Sequence, residues 1–297
     1  MGWHTTAVVD EFLAEAGAFI RADPVQNTVI LTMAERLRLR PVHGHASAAD
    51  MTLFGWWRPT AAAASEPDPV SAAFMHTPGF PVVPTAMTDQ VAAELASKLA
   101  AAGRSVRGVN AEEAIAEAFA ATWRKHTGAE ARPGRRTRLF RLDRLIWPDP
   151  APEGTSRTAG DNDRALLTEW FDAFARETRD VPGQDHAAAV DDRLSYGGIT
   201  IWEARGVPVS FAAVNRLVAG TARVGPVYTP PGRRRHGYAA GVTAAVTQAA
   251  LDAGAADVLL FTDLANPTSN ALYPRLGYRP VGDRQELSFN PATEGAA

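Results

Sequence analysis

Apolar positions in the second half of the chain switch between the spacing of a strand and the spacing of a helix. Residues 224–228 are rich in strand-forming side chains, and Pro230, Pro231 and Gly232 then stop the strand and turn the chain. Downstream of this turn, apolar residues recur on one face of a predicted helix. They are Val242, Ala245, Val246 and Ala249. A short apolar run at 257–262 predicts a buried strand, so the local order is strand, loop, helix, strand.

The same patterns predict the other elements of the second half. They are a helix capped by Asp161 or Asp163 and running to 177, a short helix within 179–192, strands at 198–204 and 207–215, a strand or pair of strands at 217–228, and a last strand at 278–289. Arg205 and Gly206 separate two of these strands, which predicts a hairpin turn.

The first half reads as helix, strands, helix, helix and strand. The predicted elements are a helix at 7–21, strands at 51–57, 71–77 and 80–84, helices at 88–102 and 111–127, and a strand at 138–146. Thr88 or Asp89 is the expected N-cap of the first of the two later helices, and Asn110 that of the second. Residues 25–33 fit a strand or a helix equally well.

Composition divides the chain into two domains. A length of 297 residues is ordinary for two domains. Proline, glycine and small polar residues concentrate at 148–160, which predicts a linker. The first domain is then 1–147, the second 161–290, and 291–297 form a flexible tail.

The junction between the 224–228 strand and the helix after it suits an anion. The first amides of a helix have no partner within it and lie at the positive end of its dipole. Glycine and alanine at this point let a ligand approach the backbone, and arginines add positive charge, so a pyrophosphate would fit. The residues concerned are Arg234, Arg235, His236, Gly237, Tyr238 and Ala239. The alternative is an ordinary basic helix start on the surface.

Two motifs in this order resemble those of the GNAT superfamily of acyl-CoA-dependent N-acyltransferases. The family's phosphate loop, Arg/Gln-x-x-Gly-x-Gly/Ala, is matched by Arg234, Gly237 and Ala239. Its second motif, Asn-x-x-Ser/Ala-x-x-Leu-Tyr-x-x-Leu-Gly-Phe/Tyr, is matched position by position. The matching residues are Asn266, Ser269, Leu272, Tyr273, Leu276, Gly277 and Tyr278. The resemblance covers residues 158–289.

The resemblance implies an α/β (α+β) fold, with a mixed, mostly antiparallel sheet flanked by helices. The element order of the first half fits a degenerate second copy of the same fold, which would make the protein a tandem form. That half has no phosphate-loop pattern, so we expect no cofactor site in it. An unrelated accessory domain is the alternative.

By resemblance, acetyl-CoA would bind as a co-substrate in a gap between two strands. Backbone groups of Val227, Tyr228 and Thr229 would hold its pantetheine arm and thioester carbonyl, and the loop from Arg234 to Ala239 would hold the pyrophosphate. Asn266 and Ser269 would contact the cofactor from the second motif.

The resemblance also implies a catalytic role for Tyr273, which would give a proton to the leaving thiolate. A packed aromatic side chain is the alternative for this residue. No carboxylate lies on the strand before the phosphate loop, where the family often has its general base. Glu203 and Asp263 are the nearest candidates by strand placement, and either could be a solvated or capping carboxylate instead. Direct attack by the amine without a dedicated base is the other possibility.

Overall composition narrows the function classes. The net charge of −3 argues against non-specific binding of nucleic acid. No apolar run is long enough to span a membrane. The absence of cysteine excludes disulfides, thiolate catalysis and cysteine-zinc sites. His43 and His45 have no supporting metal ligands nearby, so we expect no metal. We therefore expect a cytoplasmic enzyme. Its alanine and arginine content indicates a GC-rich bacterial genome.

The leading hypothesis is an N-acetyltransferase that moves an acetyl group from acetyl-CoA to an amine. A small-molecule amine is the expected acceptor and a protein amine the second option. The alternative from another class is an acyl-CoA-binding sensor or regulatory protein without turnover. The sequence leaves the oligomeric state open.

Overall fold

The computed structural model describes residues 2–39, 51–59, 69–178 and 185–290. The chain divides into two units: unit 1 combines Met1–Thr137 with Gly282–Ala297, and unit 2 is Arg138–Val281. The predicted tail at 291–297 and the His43 and His45 pair lie outside the described residues.

Unit 1 holds a four-stranded antiparallel sheet, helices and a further short strand. The sheet has the order β1 (Gly2–Thr6), β2 (Leu53–Arg58), β3 (Ala72–His76), β4 (Val83–Pro84). The helices are α1 (Val9–Ala22), α2 (Thr28–Leu39), α3 (Asp89–Ala101) and α4 (Glu113–Thr127). Strand β5 (Gly108–Ala111) pairs antiparallel with the last part of the chain's final strand, β12 (Tyr278–Asn290). The long strand β6 (Glu130–Leu142) begins in unit 1 and ends in unit 2.

The core of unit 1 lies between its sheet and the helices α3 and α4. Leu95 and Phe119 are fully buried there because apolar residues recur on the inner face of each helix, and they share this core with Phe74 of β3. Thr88 caps α3, as the sequence predicts, by accepting a hydrogen bond from the amide of Val91. The stretch at 25–33, which fits a strand or a helix equally well by sequence, is helical from Thr28 onward and forms the start of α2.

The prediction that Asn110 caps α4 is wrong. Asn110 lies within β5, and its amide donates to the carbonyl of Val82 at 2.8 Å in a parallel contact just before β4. Helix α4 begins three residues later, after Glu112. Pairing with a strand distant in sequence satisfies the amide, which no local pattern reveals.

Unit 2 is a mixed sheet with helices on both faces. Its strands are β7 (Thr155–Thr158), β8 (Ile199–Ala204), β9 (Val207–Val214), β10 (Thr221–Tyr228) and β11 (Asp257–Asp263), with β6 and β12 beyond β11. Strands β7 to β10 pair antiparallel, and β10 and β11 pair parallel. The helices are α5 (Arg164–Thr178), α6 (His186–Leu194), α7 (Tyr238–Asp252) and α8 (Pro267–Arg275).

Alternation along the strands assigns the two faces of this sheet. Trp202 on β8 packs with Val242 and Val246 of α7, whereas Ile201 packs with Leu167 of α5. The predicted hairpin is confirmed, since Arg205 and Gly206 link β8 to β9 with φ values of 54° and 73°. Both central residues of such a turn need positive φ.

The segment at 148–160, predicted as a linker, belongs to unit 2 and contains β7. Thr155–Thr158 pairs with β8 as the edge strand of the sheet. The proline-rich part before it is also attached, because the carbonyl of Glu153 accepts a hydrogen bond from Trp202 Nε1 at 2.9 Å. Its composition indicated a linker because an edge strand has little apolar surface to bury.

Candidate functional site

Strands β10 and β11 separate at their carboxyl ends. Their parallel pairing runs from Thr221 opposite Asp257 to Val224 opposite Leu260. After Val224, β10 keeps its pairing with β9 but shifts register, and Tyr228 lies opposite Phe211. The backbone groups on the β11 side of this last part of β10 therefore face a gap rather than a neighbouring strand.

Helix α7 begins beside this gap with free amides. Gly237 is its N-cap at φ 79°, with no side-chain cap and no acidic residue in the first turn. The first bond back to the cap is from the amide of Gly241, so the amides of Tyr238, Ala239 and Ala240 have no partner within the helix. Residues 231–237 are exposed. These amides and the dipole of a 15-residue helix suit a phosphate group.

Gly237 has a structural reason to be glycine that differs from the one predicted. Its φ of +79° disfavours any side chain, and an added Cβ would lie 3.3 Å from Cβ of Pro152. Gly241, one turn later, is closer still, with Cγ of Pro152 at 2.8 Å from an added Cβ. The two glycines let the segment before β7 pack on α7. Substitution of Gly237 would therefore test the backbone as well as any ligand.

The basic residues of the loop fall into two groups. Arg233 and Arg235 are exposed, and their side chains form no ion pair or hydrogen bond with the described residues. Arg234 is instead held by protein groups: Nε donates to the carbonyl of Thr229 at 2.9 Å, and Nη2 donates to both carboxylate oxygens of Glu177. His236 stacks on Tyr238, whose ring is buried.

The end of β10 is held by hydrogen bonds and by packing of its side chains. The carbonyl of Tyr228 accepts a hydrogen bond from Ser210 Oγ at 2.9 Å, and Ser210 Oγ also lies 2.8 Å from Thr229 Oγ1. The ring of Tyr228 packs against Trp170 and Phe211. Val227 points to the other face and is packed against the core under α7. The three residues predicted to line the gap therefore lie together at its β10 edge.

Asn266 and its neighbours shape the opposite edge. The side chain of Asn266 caps α8 by accepting a hydrogen bond from the amide of Ser269 at 3.1 Å. Asn270, which the sequence analysis missed, connects α8 to the end of β11. Its Nδ2 donates to the carbonyls of Asp263, Leu264 and Asn266, and its Oδ1 accepts from Thr262 Oγ1. An asparagine one turn after an N-cap asparagine is the only sequence signal for this role.

Tyr273 lies on α8 and belongs to the core under α7. Its side chain is buried between Phe140 and Tyr278, with ring centroids 6.2 and 6.0 Å away. Burial raises the pKa of Tyr273 to about 12, because the charged phenolate is penalised in apolar surroundings. The hydroxyl makes no hydrogen bond to the described residues. At neutral pH the hydroxyl of Tyr273 is therefore protonated, and it donates its proton to no other described residue.

Neither carboxylate proposed as a base is free. Glu203 lies on β8, two strands from β10, and its Oε1 accepts a hydrogen bond from Arg157 Nε at 2.8 Å. Asp263 ends β11, and its Oδ1 accepts from the amide of Ala265 at 2.8 Å in the turn before α8. The carboxylate that the fold brings to the end of β10 is Glu177, which accepts a hydrogen bond from the hydroxyl of Tyr228.

Among the described residues, no group of three or more His, Cys, Asp or Glu could hold a metal ion. The described helices include none that is both long and apolar enough to cross a membrane.

The second half of the chain is similar to a known family. Residues 164–278 match the sequence model of the Acetyltransferase (GNAT) family. No curated protein matches the chain.

Several solved structures share the fold over nearly the whole chain. A GCN5-related N-acetyltransferase from Sphaerobacter thermophilus is 17% identical, with 98% of this chain and 96% of that one covered and a TM-score of 0.61. A GNAT-family acetyltransferase from Colwellia psychrerythraea is 12% identical, with 98% and 100% covered and a TM-score of 0.58. A tandem GNAT protein from the clavulanic acid biosynthesis pathway is 14% identical, with 99% of each chain covered and a TM-score of 0.55. At these identities the likeness is one of fold.

Proposed function

Because residues 164–278 form a domain of the GNAT acetyltransferase family, we propose that the protein transfers an acetyl group from acetyl-CoA to an amine. The observation that carries this proposal is the start of α7, which offers uncapped amides and two exposed arginines beside the gap between β10 and β11. The donor set fits a pyrophosphate followed by an extended amide chain, since the helix end attracts anions and the strand edge offers backbone hydrogen bonds.

The chain's own residues divide the binding task. The amides of Tyr238, Ala239 and Ala240, with the side chains of Arg233 and Arg235, would hold the phosphates. Backbone groups of Val227 and Thr229 at the edge of β10 would hold the pantetheine arm, with Asn266 and Ser269 on the α8 side. When bound, acetyl-CoA supplies an activated acetyl thioester.

In the transfer step, the amine nitrogen forms a bond to the acetyl carbon while the carbon–sulfur bond breaks. Tyr273 would donate its proton to the departing sulfur, and its raised pKa keeps it protonated for this purpose. The nitrogen loses its proton to solvent. We propose no dedicated base, because Arg157 engages Glu203 and the turn before α8 engages Asp263. The acceptor we propose is a small-molecule amine that attacks in its neutral form.

Calorimetric titration with acetyl-CoA tests the binding site. We expect wild type to bind, and Arg235→Asn to lower the affinity by ~10-fold, the size of one lost charge-assisted hydrogen bond. The reduction should shrink as salt is added, because salt screens exposed charges. Asparagine is suitable at this position because Arg235 has φ 68° and asparagine tolerates that conformation.

The chain offers a matched control for this variant. Arg205 is also an exposed arginine at positive φ, in the hairpin between β8 and β9. Arg205→Asn should bind acetyl-CoA like wild type. Equal losses in both variants, or no binding by wild type, would contradict the proposed site.

Thiol release with a panel of small amines then tests turnover. Release above the rate of thioester hydrolysis supports an acetyltransferase. Tight binding without thiol release for any amine or any lysine peptide would favour an acyl-CoA sensor instead. The absence of a carboxylate on β10 is the observation that favours this alternative.

A further inference from the structure

Arg234, the first residue of the phosphate-loop motif, has its guanidinium turned to the protein. Nε donates to the carbonyl of Thr229 at the end of β10, and Nη2 donates at 2.8 and 2.6 Å to the two oxygens of Glu177 at the end of α5. The guanidinium carbon also lies 5.9 Å from the centre of the Tyr228 ring. One side chain thus connects the loop, the end of a strand and the end of a helix.

Glu177 completes the connection. Its carboxylate accepts hydrogen bonds from Arg234 and, at 3.3 Å, from the hydroxyl of Tyr228. The Tyr228 ring is anchored in the core against Trp170 and Phe211, so this end of the connection is fixed. We call Tyr228, Glu177 and Arg234 the Glu177 clasp.

The clasp differs from its surroundings in the geometry it requires. A planar guanidinium can donate from Nε and Nη2 in two fixed directions at once, which a lysine ammonium cannot reproduce. Arg233 and Arg235, on either side, are exposed and form no such contacts within the described residues. All three arginines of the loop are exposed, and they differ in that the guanidinium of Arg234 is bound to protein groups.

We infer that Arg234 is a positioning residue that fixes the β10 edge of the gap through Glu177 and Thr229, and that phosphate recognition falls to Arg233, Arg235 and the α7 amides. This rests on the proposed function, since it assumes that the gap receives the acyl-CoA chain. Loss of Arg234 should then disturb the part of the ligand that runs along β10, whether or not phosphates are attached.

Two ligands separate these roles. S-acetylpantetheine carries the thioester and the amide chain of acetyl-CoA but none of its phosphates. Arg234→Gln should weaken binding of both ligands by the same factor. Arg235→Asn should weaken acetyl-CoA by ~10-fold and leave S-acetylpantetheine unchanged, because it removes only a phosphate contact. Weakening of acetyl-CoA alone by Arg234→Gln would overturn the inference.

The conservative variant Arg234→Lys distinguishes geometry from charge. A lysine keeps the positive charge but cannot span Thr229 and Glu177 together. We expect it to behave like Arg234→Gln with both ligands. Recovery of wild-type affinity in Arg234→Lys would show that charge alone matters and would contradict the clasp.

The substitution Glu177→Gln tests the carboxylate side of the Glu177 clasp. The double variant with Arg234→Gln should lose no more affinity than the worse single variant, because both substitutions break one connection. The dependence of kcat/KM on pH should keep its shape in Glu177→Gln, with only its height reduced. If the rise of the rate with pH disappears, Glu177 takes the amine proton and the positioning role is wrong.

Failure of the clasp and failure of the proposed function give different results. If wild type binds neither ligand, the proposed function fails. A double-variant cycle in melting temperature would then still test the clasp, since coupling between Arg234 and Glu177 does not need a ligand. Additive shifts in melting temperature would rule the clasp out.

Discussion

Arg284 Nη2 donates a hydrogen bond of 2.8 Å to the backbone carbonyl of Asn110 in unit 1. The same nitrogen donates to the carbonyl of Pro84 at 3.0 Å. Pro84 is the last residue of β4, and Asn110 lies in β5. A parallel contact between Val82, just before β4, and Val109 of β5 brings these two strands together. A guanidinium thus joins, in unit 1, two strand ends that correspond in chain order to β10 and β11 of unit 2.

The start of the helix after β4 also differs from that of α7. Thr88 caps α3 with its side chain, and Asp89 puts a negative charge in the first turn, whereas α7 has neither feature. An acid at a helix start repels phosphate and a side-chain cap occupies an amide. In unit 1, Arg284 therefore joins these two carbonyls, and the helix after β4 begins in a way that disfavours anions.

We predict that the chain binds one acetyl-CoA, not two. Calorimetric titration of the full chain should give a single class of sites at one per chain. Arg233→Gln together with Arg235→Asn should weaken this class as a whole, because both residues belong to unit 2. A residual class of sites that these substitutions do not affect would mean that unit 1 also binds.

Arg284→Leu should destabilise unit 1 without changing acetyl-CoA affinity. The substitution leaves the carbonyls of Pro84 and Asn110 without their donor, at a cost of about 1–3 kcal/mol. Chemical denaturation followed by tryptophan fluorescence measures the change. Arg107→Leu is the control, since Arg107 is exposed just before β5 and should change stability by less than about 0.5 kcal/mol. Equal effects of the two variants would contradict the bridging role.

Tyr273→Phe should reduce kcat by ~10- to 1,000-fold, the usual contribution of a general acid, and leave acetyl-CoA affinity unchanged. Steady-state thiol release gives kcat, and calorimetry gives the affinity. Tyr278→Phe is the matched control, because it removes a buried hydroxyl that bonds to Thr247 in the same core. That variant should lose stability and keep its kcat. A Tyr273→Phe enzyme with full kcat would remove the proton-donor role.

The rate should rise with pH and show no descending limb below about pH 10. The ascent follows deprotonation of the acceptor amine, which we propose attacks without a dedicated base. The proton donor does not limit the alkaline side, because burial raises the pKa of Tyr273 to about 12 and the hydroxyl stays protonated. The pH profile of kcat, measured with a stable amine, checks this. A descending limb near neutrality would assign the acid to another group.

His76 should make unit 1 sensitive to acid. It is fully buried on β3, and burial, followed by repulsion from Arg104, lowers its pKa to about 4 from 6.5. The unfolded chain therefore binds a proton that the folded chain excludes between these values, so stability falls as pH drops below about 6.5. At pH 5 the loss is about 2 kcal/mol relative to pH 7.

Urea denaturation at the two pH values measures this loss. His76→Leu should remove most of it, while His126→Gln on the exposed face of α4 should leave it in place. Acid sensitivity that survives in His76→Leu would place its origin elsewhere.

The parts of unit 2 that the sequence predicts well are those with local causes. The hairpin at Arg205 and Gly206 follows from the positive φ that its turn requires, and α7 and β11 follow from apolar spacing. Asn266 begins α8 because its side chain reaches an amide three residues away. Each of these choices is settled within one turn of the chain.

The errors and omissions involve partners far apart in sequence. Asn110 resembles an N-cap, but its amide pairs with Val82, 28 positions earlier, so it lies in a strand. The residues at 148–160 have the composition of a linker, yet four of them form an edge strand because β8 offers its free side. Glu203, which the sequence offers as a candidate base, is bound by Arg157, 46 residues away in the chain.

The sequence alone determined the family resemblance, the phosphate-loop helix, the motif of α8 and the absence of cysteine chemistry, because these depend on residue identity at short spacing. Tertiary structure decided which charged side chains are bound to other protein groups. Glu177 meets Arg234 across 57 residues, and Arg284 meets Asn110 across 174. A hydrogen bond is decided by distances of about 3 Å in space, and no periodicity along the chain encodes which distant groups the folded sheet will bring that close.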